Sequence, residues 1–256
     1  LLKAKADIES TDNAGRTPLM HAAMAKNVEV VQVLVDAGAS VSARDTIGGT
    51  ALTWASGFGD AASVKELLDA GSDVEIVGRI TGWTPLIWAS GFGDPNSIKH
   101  LVDIGANVEA SDQLEGATPL IHAARTGKVE SIKALLAANA KLENKDYNGK
   151  TPLLSAAANS GGDATKVKTL LDAGANVHAV DNRGFNALQL ARKRTDPRAP
   201  DVVALLQPIL ASETPEDPNT PAKPTAASAK PATPAQATGS DPAKPGAGAS
   251  NGGHGG

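Results

Sequence analysis

The chain has 256 residues and a formal net charge of −4, with 41% hydrophobic but only 3% aromatic residues. The acidic balance gives no general attraction to nucleic acid or anionic membranes. The lack of Cys excludes disulfides, thiol catalysis and Cys-based metal sites, and no apolar run approaches the roughly 20 residues that span a bilayer.

A short phrase divides the chain. Thr17-Pro18-Leu19, Thr84-Pro85-Leu86, Thr118-Pro119-Leu120 and Thr151-Pro152-Leu153 are full copies, and Thr50-Ala51-Leu52 and Asn186-Ala187-Leu188 are degraded ones. Successive copies start 33, 34, 34, 33 and 35 residues apart, a period that predicts a stacked solenoid rather than separate globular domains.

Residues 1–11 read as the end of a repeat that lacks its first helix, since Leu1-Leu2-Lys3-Ala4-Lys5-Ala6-Asp7-Ile8-Glu9 parallels Leu67-Leu68-Asp69-Ala70-Gly71-Ser72-Asp73-Val74-Glu75. A signal peptide, an extra repeat or a catalytic domain upstream is compatible with that opening. Residues 12–44 form repeat 1. Asp12-Asn13-Ala14-Gly15 is a turn, Thr17 caps a helix with Pro18 at its first position, and Leu19, Ala22 and Ala23 make its apolar stripe. A second helix is expected from Val28 to Asp36, with Val30, Val31, Val33 and Leu34 buried and Gly38 as a left-handed cap. The grammar recurs in repeat 2 (45–78), repeat 3 (79–112), repeat 4 (113–145, with Asn139 at the cap) and repeat 5 (146–180, two residues longer near Ser160). Residues 181–210 diverge after Ala191, carry Pro208 in their second helix, and read as a C-terminal cap. Residues 211–256 contain no Leu, Ile, Val, Met or aromatic residue, so they are expected to be a disordered Pro/Ala/Lys-rich tail.

Asp146-Tyr147-Asn148-Gly149-Lys150-Thr151-Pro152-Leu153 resembles the opening of an ankyrin repeat, and Leu170-Leu171-Asp172-Ala173-Gly174-Ala175-Asn176-Val177 its close. The resemblance holds in register over residues 1–210. It implies an all-α solenoid of antiparallel helix pairs with β-turn fingers, and a role in binding proteins through finger tips and first helices. The family usually has His after Thr-Pro-Leu. Here that place holds Met20, Thr53, Ile87, Ile121, Leu154 and Gln189, which removes a frequent hydrogen bond to the turn.

No residue set reads as catalytic or cofactor-binding. His21 and His122 share a phase but stand three repeats apart, roughly 30 Å at about 10 Å per helix layer, too far for one metal. Asp12, Asp45, Asp146 and Asp181 read as turn formers. Gly57-Phe58-Gly59 and Gly91-Phe92-Gly93 lack the Lys-Ser/Thr of a phosphate loop. Arg192-Lys193-Arg194 reads as a solvated face.

The aromatics are more telling. Five of the seven fall in repeats 2 and 3, and Trp54–Asp60 is identical in sequence to Trp88–Asp94. Trp54 and Trp88 read as packing between repeats. Trp83 stands at a position that varies among repeats, and Phe58 and Phe92 end first helices. With Ile47, Val77, Ile80 and Leu114 on the fingers, and Arg125, they form the candidate protein-binding set.

The expected function is a non-enzymatic scaffold, monomeric, without cofactor or metal, binding another protein in its groove. No nucleic-acid partner and no membrane insertion are expected. One alternative is the regulatory or targeting part of a larger enzyme or effector. Another is an oligonucleotide or small-molecule binder using the aromatic groove. The compartment stays open between cytoplasm and a bacterial periplasmic or secreted setting.

Overall fold

The computed structural model of the protein describes residues 7–160 and 163–212. Among these, helices pair within each repeat: α1 (Pro18–Met24) with α2 (Val28–Asp36), α3 (Ala51–Phe58) with α4 (Ala61–Asp69), and α5 (Pro85–Phe92) with α6 (Pro95–Asp103). Then come α7 (Pro119–Arg125) with α8 (Val129–Ala137), α9 (Pro152–Ala158) with α10 (Ala164–Asp172), and α11 (Ala187–Arg192) with α12 (Ala199–Ser212). The first helices stack in one row from α1 to α11, and the second helices pack in a parallel row from α2 to α12. No strand forms among the described residues. An isolated bridge pairs Val180 with Asn186.

Each copy of the repeated phrase starts a helix. The Thr17, Thr84, Thr118 and Thr151 hydroxyls accept from the backbone N–H three residues on, and the following Pro takes the first helical position, where its missing N–H costs nothing. The degraded copies lose the Pro and gain a reciprocal bond. Thr53 Oγ1 accepts from Thr50 N at 3.2 Å, and Gln189 Oε1 accepts from Asn186 N at 2.9 Å. Asn139 adopts φ 61° where other repeats have Gly with positive φ, as its short polar side chain allows.

The core is one continuous band of Leu, Ile, Val and Ala along the two rows, with Leu52, Leu67, Leu86, Ile98, Leu101, Leu120 and Ile132 fully buried. In α2 only half the expected set is inside. Val31 and Leu34 are buried, whereas Val30 and Val33 are exposed. Val30 shares its phase with the buried Ser63, Ser97 and Ser131, which preceding second helices cover; no described element precedes α2 to do so.

Fingers join their neighbours through single backbone bonds. Thr46 N donates to Ala14 O, Arg79 N to Ile47 O, Gln113 N to Thr81 O, Tyr147 N to Glu115 O and Asn182 N to Asn148 O, all between 2.7 and 3.2 Å. A second ladder runs below them. The carboxylates of Glu9, Glu75, Glu109 and Glu143 accept from the N–H of Ser40, Asn107, Lys141 and Asn176 in the next repeat. Ser42 interrupts this ladder at the junction of repeats 1 and 2.

In the basic run of the C-terminal unit, Arg192 and Lys193 are exposed as expected, and Arg194 is the exception. Arg194 is 4% exposed; it makes a bidentate pair with Asp196 at 2.7 and 2.8 Å and donates to Ala157 O at 3.2 Å. Lys193 Nζ lies 3.1 Å from the Phe185 ring centroid, and Arg192 donates to Gln207. Arg194 thereby joins the C-terminal unit to α9, and Arg192 joins α11 to α12. Helix α12 contains Pro208 as expected and runs past residue 210 to Ser212. Of the tail expected from 211 to 256, Ala211 and Ser212 close α12. The remainder lies outside the described residues, as do residues 1–6 and the Gly161-Gly162 insertion.

Candidate functional site

The fingers are built around aspartates. Asp45 Oδ1 accepts from Ile47 N and Gly49 N, and Asp146 Oδ1 from Asn148 N and Lys150 N. Asp12, Asp112 and Asp181 fold their turns in the same way. Three of these carboxylates also reach the first helix. Asp12 Oδ2 pairs with His21 Nε2 at 3.0 Å, Asp45 Oδ2 accepts from Trp54 Nε1 at 2.8 Å, and Asp112 Oδ2 pairs with His122 Nε2 at 2.7 Å. The turn-to-helix bond expected to be lost is therefore supplied by the next residue along. Its signal was the spacing of nine or ten residues between a finger Asp and a helical His or Trp.

Burial pushes the Asp112 carboxyl up, but the hydrogen bond from His122 and those from the Glu115 and Leu114 N–H outweigh it, so Asp112 stays below the usual carboxylate range. Arg125 NH2 lies 3.2 Å from His122 Nδ1, while its other terminal nitrogen pairs with Glu115. An arginine can only donate, so Nδ1 is the acceptor and Nε2 carries the proton toward Asp112.

The finger that precedes α5 has Gly78 where its neighbours have Asp45 and Asp112, so no carboxylate is available to Trp88 at that place. Instead Trp88 is held by rings. Its centroid lies 4.7 Å from Trp83, 5.7 Å from Phe58, 6.0 Å from Phe92 and 6.3 Å from Trp54. Trp83 also stacks on Phe92 at 5.9 Å and 19°, and meets His122 edge-on at 4.7 Å. Arg16 closes the far end of the strip, its guanidinium 4.5 Å from the Trp54 ring centroid. The result is a continuous aromatic strip across the first helices of repeats 2 to 4.

The glycines of the duplicated segment make room for this packing. A Cβ on Gly57 would stand 2.9 Å from Trp88 Cε3, and one on Gly93 would stand 2.1 Å from the Ser56 carbonyl oxygen. Gly-Phe-Gly here serves the close approach of neighbouring helices.

Of the sequence-selected residues, Phe58 is 45% exposed, Phe92 50%, Ile80 64% and Leu114 60%, and Ile47 and Val77 are also exposed. Trp83 is half-buried in the strip and Arg125 half-buried against Glu115 and His122. Packing holds Trp83 even though its position varies among repeats. Ile47 and Ile80 share one cavity of about 140 Å³ with Thr53, Trp54 and Trp88. Two repeats along, a cavity of about 170 Å³ at the same phase is polar, lined by Glu115, Arg125, Asp146, Asn148, Lys150 and Asn159. Val77 and Leu114 lie on the same fingers without joining the strip. Trp54, Trp88, His122 and Arg16 belong to the site and were not selected from sequence. Among the described residues no group of three His, Asp or Glu is placed to hold a metal ion, and no helix is long and apolar enough to cross a membrane.

The family model described as ankyrin repeats (3 copies) matches residues 1–78, 53–146 and 86–181. Among curated proteins, the probable palmitoyltransferase AKR2 of Saccharomyces uvarum is 52% identical over 56 residues, which is 22% of this chain and 7% of that protein. Among solved structures, the human ASB11 ankyrin repeat domain is 25% identical, with 84% of this chain and 91% of that chain covered and a TM-score of 0.70. The ankyrin repeat domain of Bcl-3 is 27% identical, with 80% and 88% covered and a TM-score of 0.63. One chain of the complex of the Bdellovibrio bacteriovorus predatory endopeptidase Bd0816 with the immunity protein Bd3460 is 26% identical, with 78% and 99% covered and a TM-score of 0.64.

Proposed function

The chain belongs to the ankyrin repeat family, and from that premise we propose that it binds a protein partner through the fingers and first helices of repeats 2 to 4. Ankyrin repeats are generally protein–protein interaction modules, and their fold is generally non-catalytic. The observation that carries the reading is the half-exposure of Phe58 and Phe92 on a packed aromatic strip. Large rings already fixed by their neighbours lose little freedom on binding, which is what an interface anchor requires.

The experiment is affinity capture with the 256-residue chain, followed by titration of the recovered partner against F58A/F92A. Both side chains are partly exposed, and far-UV circular dichroism and thermal unfolding check that the variant keeps its fold. Two anchors together are expected to contribute about 3 kcal/mol, roughly a hundredfold in affinity. Unchanged affinity would refute the placement. The likeness to a chain of an endopeptidase–immunity protein complex makes a bacterial peptidase one partner to titrate directly.

A second reading, the targeting part of a larger enzyme, draws on the 56-residue match to a palmitoyltransferase. That stretch is shorter than two repeats. Reading the gene upstream of Leu1 tests it: a long open frame with a catalytic motif supports it, and a start codon with a short leader refutes it.

A further inference from the structure

The groove carries two cavities at the same phase with opposite chemistry. The one between repeats 2 and 3 is walled by Ile47, Ile80, Trp54 and Trp88. The one between repeats 4 and 5 is walled by charged and amide side chains. Its charges are unequally engaged. Glu115 is paired with Arg125, and Asp146 accepts two backbone N–H groups. The Lys150 ammonium has no partner among the described residues.

The same imbalance runs along the fingers. Asp45, Asp112 and Asp146 are turned inward and buried, whereas Arg44, Arg79 and Lys145 stand exposed, Arg44 and Lys145 each donating to one neutral carbonyl, Val77 O and Val180 O. The charge left for a ligand to meet is positive, on a protein whose net charge is −4. Two repeats at about 10 Å each place the cavities about 20 Å apart, a distance an extended chain covers in about six residues.

Resting on the reading of this groove as the interaction face, we propose that it takes an extended, acidic protein segment. One bulky apolar side chain of that segment seats between Ile47 and Ile80, and a carboxylate about six residues away pairs with Lys150. Phe92 lies between the two anchors and packs against the segment's middle. The chain's own residues 211–256 do not suit this role, because they contain no Leu, Ile, Val, Met or aromatic residue to fill the apolar cavity. A single-stranded nucleic acid suits it less well. One face of Trp83 is taken by Phe92, and Arg16 sits over the Trp54 ring, which leaves Phe58 and Phe92 as the exposed rings of the strip and no indole face open to a base on Trp83 or Trp54 from those sides.

The test is selection of phage-displayed random twelve-residue peptides on the full chain, with a thymidine oligonucleotide titrated in parallel. Enrichment of peptides with a bulky apolar residue and an Asp or Glu about six positions apart is the expected result. A selected peptide should bind K150E about fivefold more weakly or worse, and replacing its acidic residue by Lys should restore binding to K150E. Ile80→Asp should remove the apolar preference and leave the acidic one. Selected peptides that lack the spaced pair but still need Phe58 and Phe92 would overturn this inference and leave the groove reading standing. Peptides that bind F58A/F92A as well as wild type would overturn both. No enrichment, or tighter binding of the oligonucleotide than of any peptide, would overturn the proposal.

Discussion

The buried pair of His122 and Asp112 offers the sharpest test of how the finger is tied to the strip. His122→Phe keeps a ring of similar size edge-on to Trp83 but removes both hydrogen bonds of the imidazole. The lost bond to Asp112 is short, at 2.7 Å, and its two side chains are 2% and 1% exposed. A hydrogen bond to a charged group contributes about 1.5–3 kcal/mol, and the longer, partly exposed bond from Arg125 adds about 0.5–1 kcal/mol. Asp112 keeps its two bonds from the finger backbone, so the carboxylate is not stripped bare. The expected loss is about 2–4 kcal/mol, a fall in melting temperature of roughly 5–15 °C for a folded unit of this size. The assay is thermal and urea unfolding followed by circular dichroism and Trp emission. Two probes are needed because repeat arrays can leave two-state behaviour. His122→Gln, whose amide can still donate to Asp112, should recover about half the loss. A cost below about 0.5 kcal/mol for His122→Phe would refute the account of this pair.

Four further outcomes follow from the same structure. Gly93→Ala places a methyl against the Ser56 carbonyl and should destabilise by about 2–3 kcal/mol in urea unfolding; an unchanged midpoint would contradict the close approach. Trp54→Phe removes the indole N–H bonded to Asp45 and should cost about 1–2 kcal/mol by the same assay. Asp196 is held down to about 2 by the bidentate Arg194, so its contribution is complete above the unfolded value near 4 and fades as pH falls toward 2. The melting-temperature gap between wild type and Asp196→Asn should therefore close across that window, and a gap constant from pH 5 to pH 2 would argue against the pair. Ser42→Gln should restore the interrupted ladder by accepting from Asp73 N, raising stability by about 0.5–1 kcal/mol; Ser42→Glu should gain less, since it meets the Asp73 carboxylate.

Helix starts were legible from residues alone because the cap, the Pro and the first apolar stripe are local. The expected span of α2 from Val28 to Asp36 matches the structure for that reason. Val30 and Val33 were misplaced because whether a side chain is covered depends on the layer before it, which lies a full repeat away. Arg194 was misread because its acceptor, Ala157 O, is 37 positions upstream. The candidate surface was legible in its exposed members, Phe58, Phe92, Ile80 and Leu114. Its supports were not. Whether Trp83 stands free or packs depends on His122, which belongs to the next repeat.

The aromatic strip has a consequence for how the array assembles. Stacked repeats gain stability mainly from nearest-neighbour interfaces, and ring-on-ring contacts cross the junctions of repeats 2, 3 and 4: Trp54 and Phe58 meet Trp88, and Trp83 meets His122. These middle layers are the natural nucleus, with the outer repeats adding by propagation. All three Trp of the chain lie in that nucleus. On refolding, Trp emission should reach its native value ahead of the helical signal, and on gentle heating the outer repeats should fray while the emission holds.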